Sequence, residues 1–114
     1  MSMMLRSLKN RVHFDRVFRE GRFAVQDDLV CYCLRNNGDD TRVGFSLSAR
    51  VGNAVERNRL RRWLREILRA HACNLDAGWD VVFFVRRPVD LSFIEFKEQV
   101  LFLLANREVL KVEA

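Results

Sequence analysis

The chain concentrates arginine in one predicted helix, and these arginines are the residues best suited to binding chemistry. Six arginines and two glutamates lie between Glu56 and Arg69, so this window carries +4 of the chain's formal charge of +5. At about 100° per residue, one face of the helix gathers five guanidinium groups and one amide. Its members are Arg57, Asn58, Arg61, Arg62, Arg65 and Arg69. Because a planar guanidinium group matches phosphate oxygens, this face predicts contact with a phosphate-bearing polyanion.

The alternative is an ordinary solvent-exposed face of an amphipathic helix, which most charge runs form. Such faces usually mix glutamate with lysine, whereas this one is nearly all arginine. Like charges four residues apart destabilise a helix by a few tenths of a kcal/mol per pair, and a bound polyanion would relieve that repulsion. The composition therefore favours nucleic-acid contact. Arg59 falls off this face and near Glu66, so an intramolecular ion pair is expected there.

Local signals define the helix that carries these arginines. Asn53 can cap its first turn, and Glu56, three residues on, can complete a capping box. The opposite side of the helix is apolar, and Trp63 lies at its edge. Its members are Leu60, Leu64, Ile67 and Leu68. We expect the helix to run to about His71.

The rest of the chain alternates between helix and strand signals. We predict a helix over 8–20, strands over 29–34, 42–48 and 79–86, and a last helix opened by a capping box of Ser92 and Glu95. Gly21 is expected as a left-handed cap and Gly38 as a positive-φ turn residue. The order is α-β-β-(β)-α-β-α, the extra strand following Gly21. This is an α+β fold, a two-layer α/β sandwich with a βαβ crossover around the arginine-rich helix.

A second candidate surface lies on the strand over 42–48. Gly44, Ser46 and Ser48 alternate to one side and leave it without bulk, which suits either a solvent-facing strand or the floor of a shallow groove. Phe14 and Phe18 lie four apart on the first helix, and Tyr32 lies on the preceding strand. Aromatic residues at helical spacing are more often core, but aromatic stacking beside a basic rim also holds single-stranded nucleic acid.

Length and composition bound the remaining possibilities. The 114 residues, 49% of them hydrophobic, predict one domain over 1–114, and the arginine-rich helix makes it a candidate nucleic-acid-binding domain. Cys31, Cys33 and Cys73 form neither a disulfide framework nor a zinc spacing, so we expect buried, reduced thiols in a cytoplasmic protein. No run approaches the ~18 apolar residues of a membrane span, and no membrane partner is expected.

No catalytic constellation is evident among the acids and histidines. His13 and His71 are the only histidines, and the pairs Asp27-Asp28 and Asp39-Asp40 fall in predicted loops. Cleavage of a phosphodiester by a protein needs a metal cage or an acid–base pair. We therefore predict no catalytic residue and no protein-bound metal.

One stretch of sequence resembles a known signature. Residues 48–62 read Ser-Ala-Arg-Val-Gly-Asn-Ala-Val-Glu-Arg-Asn-Arg-Leu-Arg-Arg, followed by Leu64-Arg65-Glu66. Together with Leu8-Lys9 through Gly21 upstream and Gly78 through Arg86 downstream, this is similar to the bacterial ribonuclease P protein component. The resemblance covers roughly residues 5–106 in the right order.

The resemblance implies a function and a division of roles. Members of that family are protein subunits of an endoribonuclease that matures the 5′ ends of tRNA, with catalysis by the RNA subunit and its bound Mg²⁺. The implied partners are ribonuclease P RNA and precursor tRNA, and no DNA is expected. It also implies that the crossover is left-handed.

The resemblance further assigns two sets of residues. The set implied to contact the catalytic RNA comprises Arg57, Asn58, Arg59, Arg61, Arg62 and Arg65. The set implied to line a cleft for the single-stranded 5′ leader of precursor tRNA comprises Phe14, Phe18, Tyr32, Ser46, Ser48 and Arg50.

The chain departs from the family pattern at two positions. Ala49 replaces a cationic residue at the mouth of the cleft, and Trp63 replaces an aliphatic one. Because the net charge is modest for this family, we expect weaker or more salt-sensitive RNA binding. An alternative function is a general RNA-binding or ribosome-associated module. A DNA-binding regulator is disfavoured, since strand signals rather than a partner helix precede Asn53.

Overall fold

The structure, a computed structural model, describes residues 5–109. Its strands are β1 (Leu5–Ser7), β2 (Arg22–Gln26), β3 (Leu29–Arg35), β4 (Thr41–Leu47) and β5 (Trp79–Val85). Its helices are α1 (Arg11–Glu20), α2 (Ala54–Ala70) and α3 (Phe93–Asn106). Single 3₁₀ turns follow β4 and α2, at Ala49–Val51 and Ala72–Asn74.

The five strands form one mixed sheet in the order β1-β4-β5-β3-β2. β4 is parallel to both β1 and β5, while β3 is antiparallel to β5 and β2. The parallel pair β4–β5 is joined through α2, which confirms the predicted βαβ crossover and the α+β class. The left-handed sense of this connection stays a prediction from the resemblance.

Side chains that alternate along β5 enter two separate apolar clusters. Val81, Phe83 and Val85 pack with the apolar sides of α2 and α3 in the main core. Val82 points the other way, beneath α1, and is buried with Leu8 and Val17. Because successive strand residues face opposite sides, α1 lies on one face of the sheet and α2 with α3 on the other.

The N-terminal part differs from the sequence-based expectation. The first helix begins at Arg11 rather than at residue 8, because the Asn10 side chain accepts from the backbone N–H of Val12 at 2.8 Å and caps it. β1 precedes it and was missed, since three residues are too few to show a period. The further strand expected after Gly21 is confirmed as β2.

The two glycine predictions were wrong in their physical reason. Gly21 has φ −74°, and it is required because a Cβ there would lie 2.5 Å from the carbonyl oxygen of Val17 and 2.9 Å from that of Cys33. In the turn before β4, positive φ falls on Asn37 at 60° rather than on Gly38. Asparagine tolerates that region, and the Asn36 side chain accepts from the Gly38 N–H at 2.7 Å.

The predicted caps are found on both long helices. Asn53 accepts from the backbone N–H of Glu56 at 3.0 Å, which is one of the two bonds of the predicted box. Ser92 and Glu95 form both bonds of theirs. Donation from the Ser92 backbone, and then its hydroxyl, lowers the pKa of the Glu95 carboxyl.

The cysteines are reduced, and two of the three are buried as expected. Cys31 and Cys33 lie on one face of β3 with their sulfurs 3.6 Å apart, and this contact and burial raise the pKa of Cys31. Cys73 is exposed in the turn after α2, contrary to the expectation of burial. No helix within residues 5–109 is long and apolar enough to cross a membrane.

Candidate nucleic-acid interface

The basic face of α2 is positioned by the burial of its opposite side. Leu60, Leu64, Ile67 and Leu68 are each at most 2% exposed and fix the rotation of the helix about its axis. Arg62, Arg65 and Arg69 are exposed and border one shallow depression. Within residues 5–109, no arginine of α2 belongs to an ion pair. The face therefore presents cationic groups that the fold itself leaves uncompensated.

One side-chain contact lies in the N-terminal half of this face. Arg61 donates to the side-chain oxygen of Asn58 at 3.4 Å, while Arg57 is half-buried and its Nε has no acceptor among the described residues. Arg59 does not pair with Glu66, so that expectation was wrong. Its guanidinium carbon lies 5.0 Å from the ring centre of Trp63, a cation–π contact.

Trp63 is half-buried at the contact between α2 and α3. Its ring centre lies 5.5 Å from that of Phe93, edge to face, and 5.8 Å from that of Phe96. This placement agrees with the expected bulky core filler. Through Trp63, the position of Arg59 is tied to the packing of α3 rather than to the main basic face.

Three predicted cleft aromatics meet on the α1 side of the sheet. Phe18 packs edge-to-face on Tyr32 with ring centres 4.9 Å apart, and Phe14 lies 6.4 Å from Phe18. All three are half-buried, so each ring contributes both to the smaller apolar cluster and to the surface. The two alternatives, core residues and exposed stacking surface, are therefore each met in part.

Two further rings extend this row and were missed in the sequence. Phe84 lies 6.3 Å from Phe18, and Phe23 lies 5.6 Å from Tyr32 and is 58% exposed. Both share a sheet face with Tyr32, since β2 and β5 are its neighbours in register. Only the pairing of strands distant in sequence reveals that these rings are adjacent.

The glycine and serines of β4 have different roles on this face. A Cβ on Gly44 would lie 2.3 Å from the Phe14 ring, so Gly44 is buried under that ring and is not open groove floor. Ser46 is half-buried and is paired in register with Phe84. The predicted floor is thus confined to the part of β4 beyond Phe14.

A cavity of about 350 Å³ lies where this floor ends. Among the residues that border it are Ser48, Arg50, Phe84, Arg86 and Arg87. The hydroxyl of Ser48 accepts from the backbone N–H of Arg50 at 3.2 Å, which orders the 3₁₀ turn. Arg86 donates to the carbonyl of Asp27 at 2.6 Å and lies 3.9 Å from the carboxylate of Asp28, whereas Arg50 and Arg87 form no ion pair within residues 5–109. The Arg86-Arg87 pair directly after a strand was a signal that the sequence analysis left unused.

An ion pair with a buried carboxylate and a partly exposed guanidinium group lies under the opposite end of the same face. Arg42 on β4 donates two hydrogen bonds to the carboxylate of Asp80 on β5, at 2.8 and 2.6 Å. Asn36 donates a third at 2.9 Å, and Arg42 also contacts Nδ1 of His13 on α1 at 3.3 Å. Hydrogen bonding to Asp80 raises the pKa of Arg42. His13, expected to be structural or simply exposed, thus joins α1 to the sheet.

The geometry suits single-stranded nucleic acid along one face and a phosphate backbone along another. The aromatic row ends at a cluster of arginines, and stacking beside a basic rim is the usual way to hold an unpaired strand. The uncompensated arginines of α2 suit a polyanion. Within residues 5–109, no three His, Cys, Asp or Glu side chains converge as a metal site would require.

Comparison with known proteins gives one consistent family. A family model described as Ribonuclease P matches residues 4–107. A ribonuclease P protein component from Pelotomaculum thermopropionicum is 38% identical over 103 residues, 90% of this chain and 92% of that protein. Another, from Desulforamulus reducens, is 46% identical over 81 residues, 71% of this chain and 72% of that protein.

The fold comparison agrees with the sequence comparison. The structure of an RNase P protein from Staphylococcus aureus superposes with a TM-score of 0.85 at 26% identity. The match covers 92% of this chain and 97% of that one. The similarity thus extends over nearly the whole of both chains.

Replacing Arg42 with alanine tests the weight of the buried ion pair. We expect the free energy of unfolding to fall by about 3 kcal/mol, because the carboxylate of Asp80 would lose its cationic partner while buried. The matched control is Arg6→Ala, whose pair with Asp40 is equally short but 60% and 34% exposed and should be worth less than about 1 kcal/mol. Urea unfolding measures both, and equal losses would contradict the expectation.

Proposed function

The chain belongs to the family of bacterial ribonuclease P protein components, and on that premise we propose how it acts in the 5′ maturation of tRNA. It is the protein subunit of that enzyme. The basic face of α2 binds the catalytic RNA, and the aromatic row beside α1 holds the 5′ leader of precursor tRNA. The observation that carries the proposal is the presence of two separate surfaces suited to nucleic acid in one small domain, one on helix α2 and one on the α1 side of the sheet.

The absence of internal partners supports the role of α2 in binding the catalytic RNA. Arg57, Arg61, Arg62 and Arg65, with Asn58, are held on one side of a helix whose other side is buried. Because no carboxylate within residues 5–109 pairs with them, phosphate groups need not displace an existing ion pair. Arg59 makes a peripheral contact, since it is held against Trp63.

The aromatic row offers the stacking surfaces and the basic rim that a single strand needs. Phe18 and Tyr32 offer ring surfaces at its centre, Ser46 lies on its floor, and Ser48 and Arg50 border the cavity at its end. We add Phe84, Arg86 and Arg87 to this leader site, because they border the same cavity or contact the same rings. The arginines would hold phosphates while bases stack on the rings.

In this proposal the protein contributes binding and orientation. Catalysis belongs to the RNA subunit with its Mg²⁺, and no residue of the chain is assigned to the metal. Two polyanionic RNAs repel each other, so a cationic protein in contact with both lowers the cost of bringing them together. Such an activity places the protein in the cytoplasm.

Reconstitution tests the function as a whole. We would measure cleavage of a precursor tRNA by a bacterial ribonuclease P RNA at low Mg²⁺, with and without this protein. We expect correct 5′ cleavage to be restored by the protein and absent without the RNA. RNA binding without any effect on cleavage would support the general RNA-binding module instead.

Removing two arginines from the centre of the basic face should weaken binding to the catalytic RNA. For Arg61→Ala with Arg65→Ala, we expect the slope of log affinity against log salt to fall by about two, because two phosphate contacts are lost. The matched control is Arg11→Ala with Arg19→Ala, which removes the same charge from exposed positions on α1. Equal salt slopes for the two double variants would refute the assignment to α2.

Phe18→Leu should lower the preference for precursor over mature tRNA. Loss of one stacked ring is worth roughly 1–3 kcal/mol per base, so we expect the preference to fall about 5- to 150-fold. Leucine keeps apolar volume in the half-buried site, and thermal melting checks that the fold is intact. The matched control is Phe102→Leu on α3, 57% exposed. If Phe18→Leu melts early but keeps its preference, the ring serves only as core.

A further inference from the structure

A second cavity lies at the other end of the sheet and belongs to neither proposed RNA surface. It has a volume of about 400 Å³ and opens where β3 ends and β5 begins, beside the end of α3. Trp79, the first residue of β5, forms part of its wall. Phe84, near the other end of β5, borders the cavity of about 350 Å³ at the end of the aromatic row. Five residues of extended chain separate the two by roughly 17 Å.

The lining of this cavity carries a net positive charge. Arg22, Arg35 and Arg107 reach it from β2, β3 and the end of α3, and Glu20 and Glu108 also border it. Arg35 lies 3.5 Å from the carboxylate of Asp76, and Glu20 lies 3.5 Å from Arg16, so each has an ion-pair partner outside the cavity lining. Arg22 and Arg107 form no ion pair within residues 5–109 and outnumber Glu108, which favours an anionic ligand.

The same wall holds two hydrogen-bond donors without acceptors. Nε1 of Trp79 and Nε of Arg107 are buried and have no partner among the described residues. Buried donors without acceptors are uncommon in proteins, and each of these N–H groups lacks an acceptor that a ligand oxygen could supply. Both atoms are shielded from solvent, so a ligand would reach them only after neighbouring side chains, such as Arg35 over the Trp79 ring, move aside.

Arg35 couples this cavity to the ring of Trp79. Its guanidinium carbon lies 4.0 Å from the ring centre, and the group also donates to the carbonyl of Ala77 at 3.3 Å. Movement of Arg35 toward an anion would change the surroundings of the indole. Trp79 is therefore a built-in reporter of occupancy.

We propose that this cavity binds a phosphate group carried by a ligand of up to nucleotide size. Guanidinium groups match phosphate oxygens, and the oxygens supply the acceptors that the two buried donors lack. A volume of about 400 Å³ falls at the lower end of small-molecule sites. The phosphate can come from a free nucleotide or from the backbone of an RNA strand. The proposal rests on the cavity alone and does not depend on the proposed function.

Fluorescence of Trp79 tests the proposal directly in the full-length protein. The chain has two tryptophans, so Trp63→Phe leaves Trp79 as the single emitter. We would titrate this variant with inorganic phosphate, a nucleoside 5′-monophosphate, and a short single-stranded RNA lacking a 5′ phosphate, at constant ionic strength set with chloride. We expect a saturable change in emission. No saturable change with any of the three would overturn the proposal.

The three titrants distinguish the sources of the phosphate. Tighter binding of the monophosphate than of the RNA assigns the site to terminal phosphate groups, and the reverse order assigns it to the backbone. Saturation by inorganic phosphate alone would also overturn the proposal, because it shows a small-ion site rather than one for a phosphate-bearing ligand.

Variants of the lining arginines provide the matched comparison. In the Trp63→Phe background, Arg22→Gln with Arg107→Gln should weaken binding by roughly tenfold for each guanidinium contact removed. The control pair is Arg11→Gln with Arg19→Gln, which removes the same charge outside the cavity. If the first pair melts early, Arg22→Gln alone replaces it, since Arg22 is exposed on an edge strand.

Equal affinities for lining and control variants would overturn the proposal. Cleavage of precursor tRNA, measured in parallel, keeps the outcomes separate. If the protein does not support cleavage but Trp79 emission still responds to the titrants, the proposed function is contradicted. If the protein supports cleavage but Trp79 emission does not respond, the proposed binding at this cavity is contradicted.

Discussion

The ion pair between Arg42 and Asp80 joins the parts of the molecule that function requires together. It spans β4 and β5, the parallel strands connected through α2, and it reaches α1 through His13. The pair is only partly shielded, with Arg42 28% and Asp80 3% exposed, so the carboxylate bears most of the desolvation cost. Three donated hydrogen bonds offset that cost. Because the cationic partner and the amide come from different elements, the carboxylate is satisfied only in the assembled fold.

The position of α1 on the sheet depends on this ion pair and on the absence of a side chain at Gly44. Phe14 lies directly over the backbone of Gly44, where any Cβ would collide with the ring. That close approach brings Phe18 onto Tyr32 and leaves both rings half-exposed. The apolar contacts that bury one side of each ring also orient its other side. Side chains already oriented by packing lose little further entropy when a ligand binds.

One strand fixes the relative position of the two proposed nucleic-acid surfaces. β4 carries Ser46 of the proposed leader cleft, and its continuation through the 3₁₀ turn leads directly to Asn53 and the first turn of α2. A small sheet thus sets the distance between the surface proposed for a single strand and the surface proposed for the catalytic RNA. The helix accepts repulsion among its arginines because Leu60 and Leu64 anchor it in the main core. Tertiary burial rather than helix propensity stabilises it.

The sequence by itself determined the features that depend on local chemistry. The caps at Asn53 and Ser92, the alternation along β4 and the arginine face of α2 all follow from spacing within one element, and the structure has each of them. The assignment of individual residues to leader or catalytic RNA came from the resemblance and stays a prediction. Phe18 could not be placed as core or platform, because half-burial depends on what packs across from it.

Only the tertiary structure decided which distant residues meet. Phe84 and Phe23 join the aromatic row through strand pairing. Arg59 contacts Trp63 rather than Glu66, because α3 packs against the Trp63 ring and holds it in place. The sequence predicts Gly21 as a left-handed cap, although glycine is needed there because a Cβ would collide with the carbonyl oxygens of Val17 and of the distant Cys33. Such contacts join residues far apart in sequence, so no local period or motif encodes them.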